Sequence, residues 1–324
     1  MLFRLGFFAA VILATSGAAT AQVKVRIGDL AQSLNEIGSR AMIDQGIDRK
    51  YGIAAEYRAY PTLDGLFTAI RGKDVDIGFG GWTAIAQFRG KGLPVTMIFP
   101  VGRGVTVDVI VPASSPIRSI AELKGKKVGS FAGAAGTATV LFRVIASKFY
   151  GFDPGKTGDL QFAGPGLLPA FLDKGEIDAA VMFDPLAAKL EASGKYRSIG
   201  NLADAYKTAT GDDFLWIGYS TNDDFMKAEP EALTNFTRAW LEALDYVKTH
   251  PEVFEAYGKK YGLDPAAVAL LRERVLADYT TTWNEDRIAT LRRFAELANE
   301  VMGAGYLDTV PAAAFSTRFD PRKQ

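Results

Sequence analysis

Residues 69–81, AIRGKDVDIGFGG, and residues 170–185, AFLDKGEIDAAVMFDP, carry the same pattern and decide the fold. In each stretch the end of an amphipathic helix leads through a glycine-containing turn to an acidic residue, Asp76 or Asp178, and then to an apolar strand. Helices that alternate with buried strands are typical of mostly parallel sheets. A chain that builds this unit once in each half is predicted to form two similar α/β lobes, which can close around a small molecule between them.

The segments around these stretches extend the alternation. Residues 23–29 alternate with the period of a strand, and residues 34–46 have apolar positions at helical spacing. Two apolar, β-rich segments, 105–116 and 214–222, are interpreted as two strands that cross between the lobes. From Glu229 onward the pattern is almost continuously helical, and this tail is expected to pack on the first lobe. The predicted divisions are a signal peptide (1–21), a first lobe (22–108 with 220–324) and a second lobe (109–219).

The N-terminus has the pattern of a secretory signal peptide. Arg4 precedes an uncharged apolar run, and small residues ending Ala19-Thr20-Ala21 form an A-x-A cleavage site before Gln22. A membrane anchor is the alternative, but the run is shorter than the roughly 20 residues that span a bilayer. We therefore expect an exported, periplasmic protein that is cleaved near Ala21.

Composition argues against several classes of chemistry. The sequence has no cysteine and one histidine, His250, which precedes Pro251 at the end of a helical stretch. Thiolate nucleophiles, Cys/His zinc sites and a Ser-His-Asp relay are not expected, so we predict no catalytic residue, metal or cofactor. Lys and Arg (37) balance Asp and Glu (37), and no basic stripe with interleaved aromatic residues indicates nucleic acid as a partner. A soluble monomer is expected.

Three longer motifs occur in the order found in a known family. They are GKDVDIGFGGWTAIAQFRGKGLPV (72–95), VDVIVPASSPIRSIAELKGKKVG (107–129) and KGEIDAAVMFDPLAAKLEASGK (174–195). Through them the chain resembles the periplasmic substrate-binding proteins of ABC importers for nitrate, aliphatic sulfonates and taurine, together with their thiamine-precursor-binding relatives. The resemblance covers essentially the whole chain after the signal peptide. It implies a two-lobed, type II-like periplasmic-binding-protein fold, a ligand between the lobes, and delivery to an ABC-type membrane permease.

The ligand is expected at the carboxyl ends of the strands, where open α/β sheets bind their ligands. The loop from Ser130 to Thr137 joins a strand to a long helix through small residues. Its free N–H groups, with the helix dipole, favour a negatively charged group. The alternative is an ordinary turn with Thr137 as the N-cap. The loop lacks the GK[ST] ending of a P-loop, so ATP binding is disfavoured.

The matching turn of the first lobe is Gly80–Thr83. Trp82 in this turn is expected to lie over a ligand, to which Thr83 and backbone N–H groups can donate; the alternative is a core tryptophan beneath the helix. Asp184 either binds a ligand amine or ring N–H, or caps the following helix, and both alternatives stay open. Arg103 is the best-placed cation for an anion, unless it is a solvated surface residue. The complete set of expected ligand contacts is Ser33, Gly81, Trp82, Thr83, Ser130, Phe131, Gly136, Thr137, Phe183, Asp184 and Trp216.

These features together predict an extracytoplasmic solute-binding protein. Its expected ligand is a small organic anion, either a taurine-like sulfonate or a carboxylate, because aromatic neighbours favour an organic compound over bare nitrate. One alternative is a binder of a pyrimidine or another heteroaromatic vitamin precursor. Another is an enzyme on the same scaffold, for which Asp184 and Asp213 are the candidate acid or base.

Overall fold

A computed structural model describes residues 22–303, 305–307 and 309–323. The predicted signal peptide, residues 1–21, lies outside the described residues. Within these ranges no helix is long and apolar enough to cross a membrane.

Strands and helices alternate through the first two thirds of the described chain, and helices dominate the remainder. The strands are β1 (Val23–Leu30), β2 (Ile53–Tyr60), β3 (Ile77–Gly81), β4 (Val95–Gly102), β5 (Val107–Pro112), β6 (Val128–Ser130), β7 (Leu160–Phe162), β8 (Ala179–Phe183), β9 (Tyr196–Asn201) and β10 (Ile217–Asn222). The helices are α1 (Leu34–Asp44), α2 (Ile47–Lys50), α3 (Leu63–Arg71), α4 (Trp82–Gly90), α5 (Thr137–Phe149), α6 (Pro154–Thr157), α7 (Leu168–Asp173), α8 (Leu186–Ala192), α9 (Leu202–Thr210), α10 (Asp223–Ala228), α11 (Pro230–Thr249), α12 (Glu252–Tyr261), α13 (Pro265–Asp278) and α14 (Glu285–Met302).

The strands form two five-stranded mixed sheets with equivalent strand orders. The first sheet has the order β2-β1-β3-β10-β4, and the second has the order β7-β6-β8-β5-β9. In each sheet one strand runs antiparallel to its neighbours, namely β10 between β3 and β4, and β5 between β8 and β9. These two strands lie in the segments predicted to cross between the lobes, 214–222 and 105–116. The α/β class, the two lobes and the two crossing strands are confirmed.

The duplicated sequence stretch has the same backbone role in both lobes. The Asp76 N–H donates to the Arg26 carbonyl at 2.9 Å, and the Asp76 carboxylate accepts the Arg26 N–H at 2.8 Å. In the second lobe the Asp178 N–H donates to the Lys127 carbonyl at 2.7 Å, and its carboxylate accepts the Lys127 N–H at 2.8 Å. Each acidic residue therefore fixes the start of its strand against the neighbouring parallel strand.

The turn before each acidic residue needs a left-handed backbone. Gly175 supplies it in the second lobe with φ 68°. In the first lobe Gly72 ends helix α3 with φ −76°, and the left-handed residue is Lys73 with φ 61°. The repeated turn thus keeps its geometry although glycine is displaced by one position in the first lobe.

The chain passes from the first sheet to the second between Gly102 and Val107, and it returns between Asn201 and Ile217. The predicted lobe boundaries, after residues 108 and 219, lie inside β5 and β10. The two connections between the sheets, which we call the hinge, are the short segment 103–106 and the stretch 202–216 before β10.

The C-terminal helices contact both lobes. Helices α11 and α12 pack on α1, and Trp240 of α11 lies edge-on to Tyr219 of β10 with ring centroids 5.1 Å apart. This is the predicted packing of the tail on the first lobe. Helix α13 also packs on α8, and α14 packs on α5, so the last two long helices extend onto the second lobe.

Candidate functional site

Among the helices that begin at the carboxyl ends of parallel strands, three start at a predicted ligand residue whose side chain gives no cap. They are α1 after β1, α4 after β3 and α5 after β6, and their N-cap residues are Ser33, Gly81 and Gly136. Helices α2, α7, α8, α11 and α12 also lack a side-chain cap from their N-cap residue, whereas α3 is capped by Thr62 and α14 by Asn284. An uncapped helix start offers N–H groups and the positive end of the helix dipole to a negatively charged group. This end of both sheets is therefore suited to an anion.

The starts of α4 and α5 meet across the two lobes. The Thr83 and Thr137 hydroxyl oxygens are 2.6 Å apart, and both residues are buried. A Cβ atom added at Gly81 would lie 2.5 Å from the Thr137 Oγ1, so only a glycine lets the second lobe come this close. The backbone N–H of Trp82 donates to the backbone carbonyl of Trp216 at 3.2 Å. The predicted residues Gly81, Thr83 and Thr137 are thus neighbours at the contact between the lobes.

Aromatic rings line one side of the same region. The Phe131 ring centroid is 4.6 Å from that of Phe183 and 6.5 Å from that of Trp216. Phe131 and Trp216 are half-buried, and Phe183 is buried. These three predicted residues form an apolar wall next to the helix starts.

Ser130 and Gly136, two predicted ligand contacts, stabilise the loop before α5. The Ser130 hydroxyl is fully buried and lies 2.6 Å from the Thr139 hydroxyl, within hydrogen-bonding distance. Any side chain at Gly136 would run into the Ala132 carbonyl oxygen, so glycine is required there by the loop itself. Ser130 and Gly136 therefore shape the loop before α5 rather than offer free polar atoms.

The expectation that Trp82 lies over a ligand is corrected by the structure. Its side chain is 0% exposed and packs edge-on to Phe294 with ring centroids 5.7 Å apart. A second ring, Phe315, lies 6.2 Å away. The Trp82 ring therefore packs against α14, which carries Phe294. The ring belongs to the core, which was the alternative interpretation.

Asp184 is held in a buried charge cluster. Its Oδ1 accepts the Ala188 N–H at 2.8 Å and lies 3.4 Å from the Arg274 guanidinium. Arg274 also pairs with Asp108 at 3.3 Å and with Glu191 at 2.6 Å. Burial raises the pKa of Asp184 to about 7, and Arg274 opposes this shift. Of the two alternatives for Asp184, helix capping is observed, and ligand contact stays a prediction.

Arg103 is fixed at the hinge. Its guanidinium donates to the Ala277 carbonyl at 2.9 Å and pairs with Asp213 at 3.3 Å. Beside it, Asp278 Oδ1 accepts the two backbone N–H groups of Gly104–Val105 at 2.7 and 2.6 Å. Burial raises the pKa of Asp278 to about 7. The predicted role of Arg103 as the cation for an anionic ligand is thus replaced by a structural role at the connection between the lobes.

A buried polar cluster that the sequence analysis did not identify lies behind Ser33. Asp29 Oδ2 accepts the Ser39 hydroxyl at 3.0 Å, and Ser39 is 2.8 Å from the Tyr219 hydroxyl. Burial raises the pKa of Asp29 to about 7, and the Ser39 hydrogen bond opposes the shift. Asn35 is 0% exposed and lies beside the Tyr219 hydroxyl. The only sequence signal was the position of Asp29, an acidic residue at the end of an apolar strand.

His250, the single histidine, is the C-cap residue of α11. Its ring stacks on Tyr246 with centroids 3.6 Å apart, and its Nδ1 lies 2.8 Å from the Tyr246 carbonyl oxygen at the end of α11. In the described part of the chain, no group of three or more His, Cys, Asp or Glu side chains is placed to hold a metal ion.

Comparisons with known proteins agree with this architecture. The alkanesulfonate-binding protein SsuA from Xanthomonas axonopodis pv. citri, solved with bound MOPS, matches with a TM-score of 0.73 at 18% identity and covers 92% of this chain and 99% of its own. The periplasmic aliphatic sulphonate binding protein SsuA from Escherichia coli matches with a TM-score of 0.69 at 18% identity, over 91% of both chains. The Candida albicans CA3427 gene product, described as having the generic periplasmic binding protein fold, matches at 0.68 and 13% identity over 91% of this chain and 96% of its own. These likenesses show the fold.

The sequence comparisons give the family. No curated protein matches the sequence significantly. The profile of the NMT1/THI5-like family matches residues 49–254, which is more than half of the chain. The protein therefore belongs to the NMT1/THI5-like family.

Proposed function

We propose that the protein is a periplasmic, monomeric solute-binding protein that captures a small organic anion, a sulfonate or a carboxylate, between its lobes and delivers it to an ABC importer. The observation that carries the proposal is the meeting of two uncapped helix starts, α4 and α5, from opposite lobes. Their contact lies at the carboxyl ends of the strands, where this class of sheet binds ligands. The solved neighbours named as sulfonate-binding proteins support the same class of ligand.

Neutral donors rather than a cation are the proposed anion contacts. Arg103 is engaged at the hinge, and Arg274 is surrounded by Asp108, Asp184 and Glu191. Helix N-termini bind sulfate, phosphate and carboxylate groups through backbone N–H groups alone. The hydroxyl of Thr137 at the start of α5 adds one further donor.

The contacts of Asp184 and Asp213, the candidate acid or base of an enzyme, fit a binding protein better than they fit a catalyst. Asp184 caps α8 and lies beside Arg274, and Asp213 pairs with Lys207 at 2.9 Å as well as with Arg103. A general base has to reach a substrate proton within hydrogen-bond distance. Asp184 Oδ1 and the Asp213 carboxylate are instead engaged by neighbours of the fold.

A heteroaromatic ligand is the second candidate, and the aromatic wall of Phe131, Phe183 and Trp216 favours it. Rings at these spacings can stack on a flat ligand, since aromatic pairs prefer centroid distances of about 4.5–7 Å. The resemblance to thiamine-precursor binders points to a pyrimidine. Such a ligand would use the wall as its main contact and would not need an anionic group.

Calorimetric titration with a panel of sulfonates, carboxylates and aminopyrimidines tests the proposal. Thr83→Val and Thr137→Val should each weaken binding of an anion by roughly one to two decades if their hydroxyls hold a charged group. Thr68→Val is the matched control, because Thr68 is an exposed threonine of α3 that donates only to the carbonyl of its own helix. Mass spectrometry of the protein purified from the periplasm identifies any ligand that it retains. Absence of binding to every anion in the panel, with binding of an aminopyrimidine, would replace the first candidate by the second.

A further inference from the structure

Helix α13 lies in the C-terminal tail, and its side chain Arg274 reaches into the second lobe. The Arg274 guanidinium pairs with Glu191 of α8 at 2.6 Å, with Asp108 of β5 at 3.3 Å and with Asp184 at 3.4 Å. The side chains of Asp108 and Asp184 are 5% and 0% exposed. Two elements of the second lobe and the turn after β8 therefore hold one arginine of the tail.

The preceding helix, α12, is tied to the first lobe instead. Lys260 and Tyr261 at its end both donate to the Glu36 carboxylate of α1, with the Tyr261 hydroxyl at 2.5 Å. Helices α12 and α13 also pack on each other through apolar groups, and a Cβ atom added at Gly258 of α12 would lie 2.3 Å from Cγ2 of Val268. Two consecutive helices of the tail thus have their polar contacts on different lobes.

The end of α13 lies at the hinge. Its last residue, Asp278, accepts two backbone N–H groups of the segment 103–106, and the Arg103 N–H donates to the Asp278 carbonyl at 3.0 Å. The next residue, Tyr279, donates its hydroxyl to the Leu34 carbonyl of the first lobe at 2.8 Å. Because α13 ends where the two lobes are connected, it can turn with either lobe without stretching the chain at that end.

Opening of the lobes has to change one of the two sets of contacts that α13 makes. If α13 stays with the first lobe, Arg274 leaves its three carboxylates, and buried charges that lose their partner are strongly destabilising. If α13 stays with the second lobe, it slides along α12 where Gly258 faces Val268. Small sliding of packed helices is the ordinary shear movement, and apolar contact is not directional. Sliding is therefore the less costly of the two movements.

We infer that α13 moves with the second lobe when the lobes open and close, turning at Asp278 and sliding along α12, which stays with the first lobe. The inference rests on the proposed function only for the movement of the lobes, and it is independent of the solute that they hold. It divides the tail between the lobes, in place of the predicted division that assigned all of 220–324 to the first lobe. Helix α13 then joins Asp184, a predicted ligand contact, to the hinge.

Distances between spin labels test the inference, and the chain has no cysteine of its own that would take up a label. Thr68→Cys in α3, Ala170→Cys in α7 and Ala269→Cys in α13 provide exposed sites on the first lobe, on the second lobe and on the helix. The substitutions are combined two at a time in the full protein. Pulsed electron paramagnetic resonance then gives the three distances.

Two wedge variants open the lobes without a ligand. Gly81→Leu and Thr137→Leu each place a large side chain where these two residues meet, one from each lobe. In both variants the distance from position 68 to position 170 should lengthen, and the distance from position 68 to position 269 should shift with it. The distance from position 170 to position 269 should stay as it is without the wedge.

Glu255→Cys is the matched control, because Glu255 is an exposed residue of the neighbouring helix α12. Its distance to position 68 should stay constant in the wedge variants, and its distance to position 170 should shift. Arg274→Met in the wedge variants should free α13 from the second lobe and broaden the distribution of distances between positions 170 and 269.

A shift of the distance between positions 170 and 269 in the wedge variants that keep Arg274 would overturn the inference, because α13 would not then move with the second lobe. An unchanged distance between positions 68 and 170 in both wedge variants would overturn it as well, since the lobes would not move. Neither result touches the class of ligand, which calorimetry measures separately on the unlabelled protein.

Discussion

The contact between Gly81 and Thr137 allows a direct test of closure between the lobes. In Gly81→Ala the new Cβ would lie 2.5 Å from the Thr137 Oγ1, whereas ordinary contact begins at 3.4 Å. The backbone of Gly81, with φ −66° and ψ 134°, is open to alanine, so the clash concerns only the opposite lobe. We expect the variant to fold normally and to resist closure.

The magnitude follows from the size of the overlap. Inserting one methyl group into a well-packed contact costs about 1–3 kcal/mol. If closure is needed for tight binding, this corresponds to roughly one to two decades in Kd. Titration with the ligand that binds wild type best gives the affinity, and small-angle scattering with saturating ligand should show a larger radius of gyration for the variant.

A double variant isolates the cause. In Thr137→Ala the nearest atom to the Cβ of residue 81 becomes the Cβ of residue 137, at an ordinary 3.5 Å. Gly81→Ala should therefore cost nothing further in the Thr137→Ala background, which is a non-additivity expected only for groups in contact. Gly90→Ala is the control within the same helix, since a Cβ there meets nothing within 4 Å. An unchanged affinity in Gly81→Ala, or a loss that persists in the double variant, would refute the closure that we derive from this contact.

Three further changes test other parts of the structure. Trp82→Ala should lower the free energy of unfolding by about 3–5 kcal/mol, because the ring fills the core against Phe294, yet the folded fraction should bind ligand as wild type does. Arg274→Met should destabilise the protein by about 3–5 kcal/mol in urea titrations, since it leaves buried carboxylates without their cation, and an unchanged midpoint would contradict that. Burial raises the pKa of Asp278 from an ordinary 3.8 to about 7, so its carboxyl group binds a proton more tightly in the folded state than in the unfolded chain. The free energy of unfolding therefore decreases as the pH rises between these two pKa values. Asp278→Asn also removes the charge facing Arg103. Its free energy of unfolding should increase relative to that of wild type as the pH rises over this range, and parallel profiles of the free energy of unfolding against pH would contradict the prediction.

The sequence predicted the sheets well because buried strands were bounded by turns and helices. The segment Tyr196–Asn201 was missed, because it is an edge strand in which only Tyr196 is buried and the pattern of apolar residues is weak. The helix after it, α9, was also missed, although its buried residues Leu202, Ala203 and Tyr206 lie at helical spacing. Edge elements of this kind are fixed by pairing with a distant strand, here β5, and not by their own periodicity.

Side-chain direction at the turns could not be read from the sequence. Trp82 follows two glycines at the end of a strand, which suits both a ligand cover and a core residue. The Trp82 ring is part of the core because it packs on Phe294 and Phe315, which lie more than two hundred positions later in the chain. Asp108 carried a usable signal, since a carboxylate inside the apolar strand VDVIV needs a buried partner. The identity of that partner, Arg274, depends on the packing of α13 against the second lobe.

The two lobes share a scaffold but differ in charge where corresponding strands end. After β3 the first lobe presents Gly81, a bare helix start that favours negative charge. After the equivalent β8 the second lobe presents Asp184, whose Oδ1 caps its own helix while its Oδ2 has no hydrogen-bond partner. After β1 the first lobe presents Asp29 with an unpartnered oxygen, and after the equivalent β6 the second lobe presents the small-residue loop to the uncapped helix α5. Each lobe thus contributes one uncapped helix start, which is suited to an anion, and one buried carboxylate at the ends of its parallel strands.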